Sequence, residues 1–213
     1  MFLTILPFFF IFYSFDKFLE KNNINGRYYI NHFIGNMIIS YYSFFDVLYC
    51  FTNFTDIFEK EYSMLPINIT FALHFYHIAV YYNSFVFDDW LHHLLMIGFC
   101  LPFGLYAKGG IIINTCLFFL SGFPGGINYL FLAFQRNDMI PRITQKRVNN
   151  FLNLWIRQPG CILCSTLGVL YINYNYEKFN MLQIVINYLI GASVYWNGIY
   201  FMEQVHANYI KNK

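Results

Sequence analysis

The chain has 213 residues, of which 58% are hydrophobic, 23% aromatic and only 11% charged. A soluble domain carries roughly 25% charged residues, so there is too little polar surface here to cover a water-exposed globule. A net charge of +2 with no basic run argues against nucleic acid, and five scattered cysteines, an odd number, argue against a disulfide framework.

The length fits one domain, and a bilayer core needs about 20 mostly apolar residues per helix. Seven segments approach that length. The first, about Phe2 to Phe15, ends at Asp16 and Lys17; without a basic start or a small-residue cleavage site it reads as a membrane helix, not a signal peptide. The second runs from about Tyr28 to Phe51, the third from Leu65 to Phe85, and the fourth from Asp89 to Tyr106, with Gly109–Gly110 marking the turn after it. The fifth, Ile111 to Phe134, contains Phe123-Pro124-Gly125-Gly126, and the sixth, Val148 to Tyr171, contains Gln158-Pro159-Gly160. Kinks are expected at both prolines, since neighbouring groups can satisfy freed backbone inside a bundle. The seventh runs from about Met181 to Met202.

The expected fold is therefore an all-α integral membrane bundle of about seven transmembrane helices. Lys and Arg placement orients it. The connections after spans one, three and five and the C-terminus hold nine of these residues; the opposite side holds Lys60, Lys108 and Lys178. The C-terminus is thus expected in the cytoplasm. Of two N-x-[ST] sites, Asn53 and Asn68, the first falls in a lumenal connection under this orientation. Cys161 and Cys164 form a C-x-x-C inside an apolar segment, where helix packing is the expected role.

Ionisable groups within a bilayer are costly, so each is a functional candidate. The densest set is Asp88-Asp89-Trp90-Leu91-His92-His93 at the start of the fourth span. Asp88 and His92 are four apart, as are Asp89 and His93, so each carboxylate is placed to orient one imidazole as a general base. His74 and His77 share one face of the third span. A short turn makes these two helices antiparallel neighbours, with His77 roughly 10 Å and His92 roughly 6 Å beyond the turn. Three readings stay open. One is a catalytic base or lipid site. Another is a metal site, since HxxH plus HH resembles the histidine boxes of membrane desaturases, which use more histidines than the six present here. The last is a hydrogen-bonded polar cluster at the interface. Asp46 is an isolated acid in the second span, with Arg157 as its candidate partner; Asn187, Asn197, Glu203 and Gln204 of the seventh span are candidates for interhelical hydrogen bonds.

Three stretches carry a family resemblance. Asn31-His32 followed by Ser40-Tyr41-Tyr42-Ser43 is similar to an Asn…Ser…His-Ser pattern without its His, His92-His93 to a double histidine at a helix start, and Phe119-Leu120-Ser121-Gly122-Phe123-Pro124 with Asn128 to a segment bearing an acid, a proline and an asparagine, with Ser121 near the acid's place. Their order and spacing resemble the TLC-domain family, which includes ceramide synthases and translocating-chain-associated proteins, over about Asn31 to Lys211. The resemblance implies residues 1–27 as a first membrane helix and loop, and residues 28–213 as a TLC-like domain around a lipid-accessible cavity of the endoplasmic reticulum. It implies membrane lipids as partners and no cofactor or metal. His92 and His93 match the positions associated with acyl transfer from acyl-CoA to a sphingoid base; His77, Asp88, Asp89 and Asp46 would line or orient the cavity. Ile111 to Ser121 holds no His or Asp where the synthases carry a further His-Asp…Asp motif. The expectation is therefore a lipid-binding or lipid-organising protein first, and an acyl-CoA-dependent N-acyltransferase second.

Overall fold

The computed structural model describes residues 2–53 and 56–213, leaving aside the side chains of Phe2, Leu3 and Asp88. Among these residues the regular structure is all helix, organised as seven helices with no strand. α1 is Phe2–Lys21, α2 is Arg27–Thr52, and α3 is Leu65–Tyr81, followed by one 3₁₀ turn, Tyr82–Ser84. α4 joins Phe87–His93, a π-helical stretch Leu94–Cys100, and Leu101–Tyr106 end to end. α5 joins Ile111–Leu117, the π-helical Phe118–Gly122, and Phe123–Arg136. α6 joins Arg142–Leu152, the π-helical Asn153–Arg157, and Gln158–Tyr174; α7 is the single long helix Met181–Lys211.

The π-helical stretches have a common cause. Each ends one residue before an X-Pro step: Leu101-Pro102, Phe123-Pro124 and Gln158-Pro159. A proline has no N–H to donate and its ring collides with the carbonyl four residues earlier. Widening the preceding turn gives that ring room, so the helices pass through their prolines instead of stopping. Three boundaries also differ from the sequence expectation. α1 continues past Phe15 to Lys21, with a Lys17–Glu20 pair at 2.7 Å one turn apart on its surface. α6 starts at Arg142, right after Pro141 in an extended conformation, and α7 runs on to Lys211.

α2 is central, packing against α1, α3 and α5, while α6 and α7 form an adjoining pair. α5 comes close to α2 because two glycines leave space: a Cβ on Gly122 would sit 2.9 Å from Ser40 Oγ, and one on Gly126 2.9 Å from Met37 Sδ. The largest apolar core gathers Ile5 and Phe12 of α1, Ile39 of α2, Leu73 and Tyr76 of α3, Leu101 of α4 and Leu117 of α5. Cys161 and Cys164 are free, buried thiols packed against Val194 of α7, in keeping with a packing role.

α2 separates its polar and apolar side chains by face. The buried face of α2 carries Asn31, His32, Asn36, Ser40, Ser43 and Asp46, while its exposed face carries Tyr41, Tyr42, Phe44, Phe45, Leu48 and Phe51. The inward groups are held across helices. Asn31 donates to the Tyr76 hydroxyl at 2.8 Å, and the Tyr81 hydroxyl donates to Asp16 at 2.6 Å. Asn187 and Gln183 of α7 donate to the carbonyls of Ala107 and Tyr106. By length and apolar composition alone, one helix among the described residues, α5 at Ile111–Arg136, meets the demands of a membrane span.

Candidate functional site

Five of the six histidines converge at one end of the bundle. His32 lies near the start of α2, His74 and His77 near the end of α3, His92 and His93 near the start of α4. Because neighbouring helices run antiparallel, these positions fall at a common depth, on the order of 6–10 Å in from that end. His32, His74, His77 and His93 are buried, and His92 sits exposed at the rim.

The rings form a continuous stack. His32 and His77 have centroids 3.7 Å apart, and Tyr129 of α5 stacks on His32 at 4.1 Å. Tyr28 lies 4.5 Å from His32 and 4.7 Å from His77. His93 is held between Phe85, stacked at 4.7 Å, and the edge of His74 at 5.1 Å. The sixth histidine, His206, is outside this cluster and contacts Asn150.

One pair within the stack has a defined direction. His74 Nδ1 lies 2.8 Å from the Thr70 carbonyl, which can only accept, so Nδ1 carries the proton. In the neutral ring Nε2 is then the lone pair, and it faces His92 Nε2 at 3.3 Å. The network therefore assigns the Nε2–H tautomer to His92, leaving the lone pair on its Nδ1. A carbonyl–imidazole–imidazole chain of this kind orients the outer ring as the third group of a catalytic triad does. Elsewhere the cluster is under-satisfied: His32 Nε2, both nitrogens of His77 and His93 Nδ1 are buried without a hydrogen-bond partner.

The other sequence candidates fall in different places. Asp89 does not orient His93. Its carboxylate accepts from the Val86 backbone N–H at 3.0 Å, capping the start of α4, where the exposed amides need an acceptor. The side chain of Asp88 is outside the described residues. Asp46 lies away from the histidines and is not partnered by Arg157. Lys60, from the α2–α3 connection, takes one carboxylate oxygen at 2.8 Å and Asn114 of α5 the other at 2.7 Å. Arg157 instead donates to Asn197 at 3.0 Å and lies over the Phe201 ring. Ser121 bonds back to the Leu117 carbonyl, and Asn68 is buried against Thr4. The Asn53 sequon ends on Thr55, outside the described residues.

Sequence reasoning overlooked His32 and Tyr129 as members of the site. The available signal was depth: counting residues in from the shared end puts both at the level of His77 and His92. No three His, Cys, Asp or Glu side chains among the described residues already converge on one point suited to a metal ion. Two sizeable cavities are not lined by the histidines: an apolar groove of about 600 Å³ along α2 that reaches Leu65 at the opposite end of α3, and a polar basin of about 510 Å³ beside Tyr29. Compared with known proteins, the chain matches no family model, no curated protein and no solved structure. The class defined by fold and site is thus an all-α seven-helix bundle with an interior histidine–tyrosine stack near one end.

Proposed function

We propose that the chain is a multi-pass membrane protein that binds membrane lipid beside the histidine stack, in the endoplasmic reticulum or a related membrane, with its C-terminus in the cytoplasm. The many large apolar side chains exposed around the bundle, with polar side chains turned inward on α2, carry this reading. A bundle that turns Asn31, Asn36, Ser40 and Asp46 inward and Phe44, Phe45, Leu48 and Phe51 outward along one helix is built for an apolar surround. Exposed aromatic and aliphatic side chains continue on α1 (Phe10, Ile11), α4 (Leu91, Leu94) and α7 (Leu189, Trp196). The inward polar residues explain why helices such as α2 score low on hydropathy alone: the average mixes a lipid face with a bonded interior face. The groove between Phe8, Met37, Tyr41 and Leu65 is apolar and of a size to take part of an acyl chain.

A second reading, acyl-CoA-dependent N-acyl transfer to a sphingoid-type amine with release of CoA, is favoured by one observation, the Thr70–His74–His92 chain, which leaves a lone pair on His92 Nδ1. In that reading His92 removes the amine proton, and His93 packs behind it. Lipid mass spectrometry separates the two. Cells expressing the wild-type chain are compared with cells expressing His92→Ala/His93→Ala at matched levels. An N-acyl lipid that rises with wild type and not with the variant supports acyl transfer; no such product, together with lipid co-purifying with both chains, supports binding alone. Extraction of the chain from membranes by carbonate at high pH would overturn the multi-pass reading itself.

A further inference from the structure

The polar basin has a charge imbalance that the histidine site does not use. It is formed where the start of α2, the end of α5, the start of α6 and the end of α7 meet, and it encloses about 510 Å³. Three cations line it, Arg136, Arg142 and Lys146, with no carboxylate in the lining. Among the described residues none of the three forms an ion pair. Arg136 and Arg142 are exposed on the wall, while Lys146 is only 8% exposed and donates to the neutral Asn208 Oδ1 at 2.5 Å. Burial, and then the like charge of Arg142, push the Lys146 ammonium below its ordinary range. Three cations around one concavity repel one another with no carboxylate between them, and a bound anion relieves that repulsion.

We infer that this basin is a binding site for a phosphate-bearing anion, held by Arg136, Arg142 and Lys146. Phosphate suits the donor set. Two guanidinium groups give forked N–H pairs matched to phosphate oxygens, and the ammonium adds a compact point charge deeper in. The basin also communicates with the histidine stack. The Arg136 guanidinium lies 6.0 Å over the Tyr29 ring, Tyr29 stacks on Tyr129 at 6.2 Å, and Tyr129 stacks on His32. A lipid whose headgroup phosphate occupies the basin would therefore have its polar end beside the stack. The same chemistry is offered by a soluble diphosphate. The lipid source rests on the proposed membrane reading, and the soluble one does not.

The test uses the full chain purified in neutral detergent, with two probes. Sodium pyrophosphate is titrated calorimetrically, and dioleoyl phosphatidic acid is competed against dioleoyl phosphatidylcholine in native mass spectrometry. The variants are Arg142→Gln and Lys146→Gln, with Arg147→Gln as the charge-matched control, an exposed neighbour on α6 that is not in the lining. Losing one charge-assisted contact is expected to weaken binding about tenfold or more in Arg142→Gln and Lys146→Gln, and Arg147→Gln less than about twofold. Binding of phosphatidic acid alone identifies a lipid headgroup, pyrophosphate alone a soluble ligand, and both a site indifferent to the remainder of the molecule. Each supports the basin when the lining variants lose it. Wild type that binds neither probe, or an equal loss in Arg142→Gln and Arg147→Gln, overturns the inference. Because the pyrophosphate arm needs no bilayer, failure of the membrane reading leaves it interpretable.

Discussion

Replacing Asp46 by Asn tests how the interior of this bundle is held. The carboxylate is 5% exposed and receives Lys60 Nζ at 2.8 Å on one oxygen and Asn114 Nδ2 at 2.7 Å on the other. An asparagine offers one acceptor and one donor group. If its oxygen turns to Asn114, its NH₂ meets the Lys60 ammonium, which can only donate. Hydrogen bonds to charged groups contribute about 1.5–3 kcal/mol, so the substitution should cost about 2–3 kcal/mol. The lysine side chain is one-quarter exposed and can turn outward, which keeps the cost below the 3–5 kcal/mol typical of a severed, fully buried pair. Lys60→Met alone should cost about 1–2 kcal/mol, and the double variant less than the sum, with a coupling of about 1–2 kcal/mol. Asp46→Asn with Arg157→Met should be additive within about 0.5 kcal/mol, because Arg157 is engaged with Asn197. Denaturation of the full chain in one fixed detergent, titrated with sodium dodecyl sulfate, measures all four quantities. Additivity with Lys60→Met, or coupling to Arg157→Met, would refute the geometry.

Gly160 and Gly168 lie on the same helix and should respond oppositely to alanine. A Cβ on Gly160 would sit 2.2 Å from the Phe119 ring, so Gly160→Ala should lose about 1–3 kcal/mol. A Cβ on Gly168 meets nothing within 4 Å, and Gly168→Ala should gain about 0.5–1 kcal/mol from helix propensity; thermal unfolding ranks the two. Brief treatment with diethyl pyrocarbonate should modify His92 and His206 first and spare His32, His74, His77 and His93, as read by peptide mass spectrometry. Early modification of His77 would mean that the stack is open. In a glycosylating membrane, Asn68→Gln should leave the glycosidase-sensitive mass shift unchanged, because Asn68 is buried and bonded to Thr4.

How much of this was legible beforehand varies by element. The seven helical segments and the turn at Gly109–Gly110 follow from runs of apolar residues and from where glycine interrupts them, which are local properties. The pairing of His74 and His77 on one face is likewise local, since i and i+3 share a face. The two prolines expected to kink α5 and α6 do mark irregularities, but as π-helical widening just upstream, where the turn opens to make room for the proline ring.

Partners across helices were a different matter. Asp46 found Lys60 from the neighbouring connection and Asn114 from α5, not Arg157, and Asp89 took a backbone amide of its own helix turn instead of His93. The sequence by itself determined an all-helical chain and its large excess of apolar over charged residues. Only the tertiary structure decided that His32 and Tyr129 complete the histidine stack and that Arg136, Arg142 and Lys146 face one basin. The reason is geometric: periodicity sets which residues share a face of one helix, whereas the rotation of each helix about its axis is set by packing, through contacts as specific as the two glycines of α5 against α2.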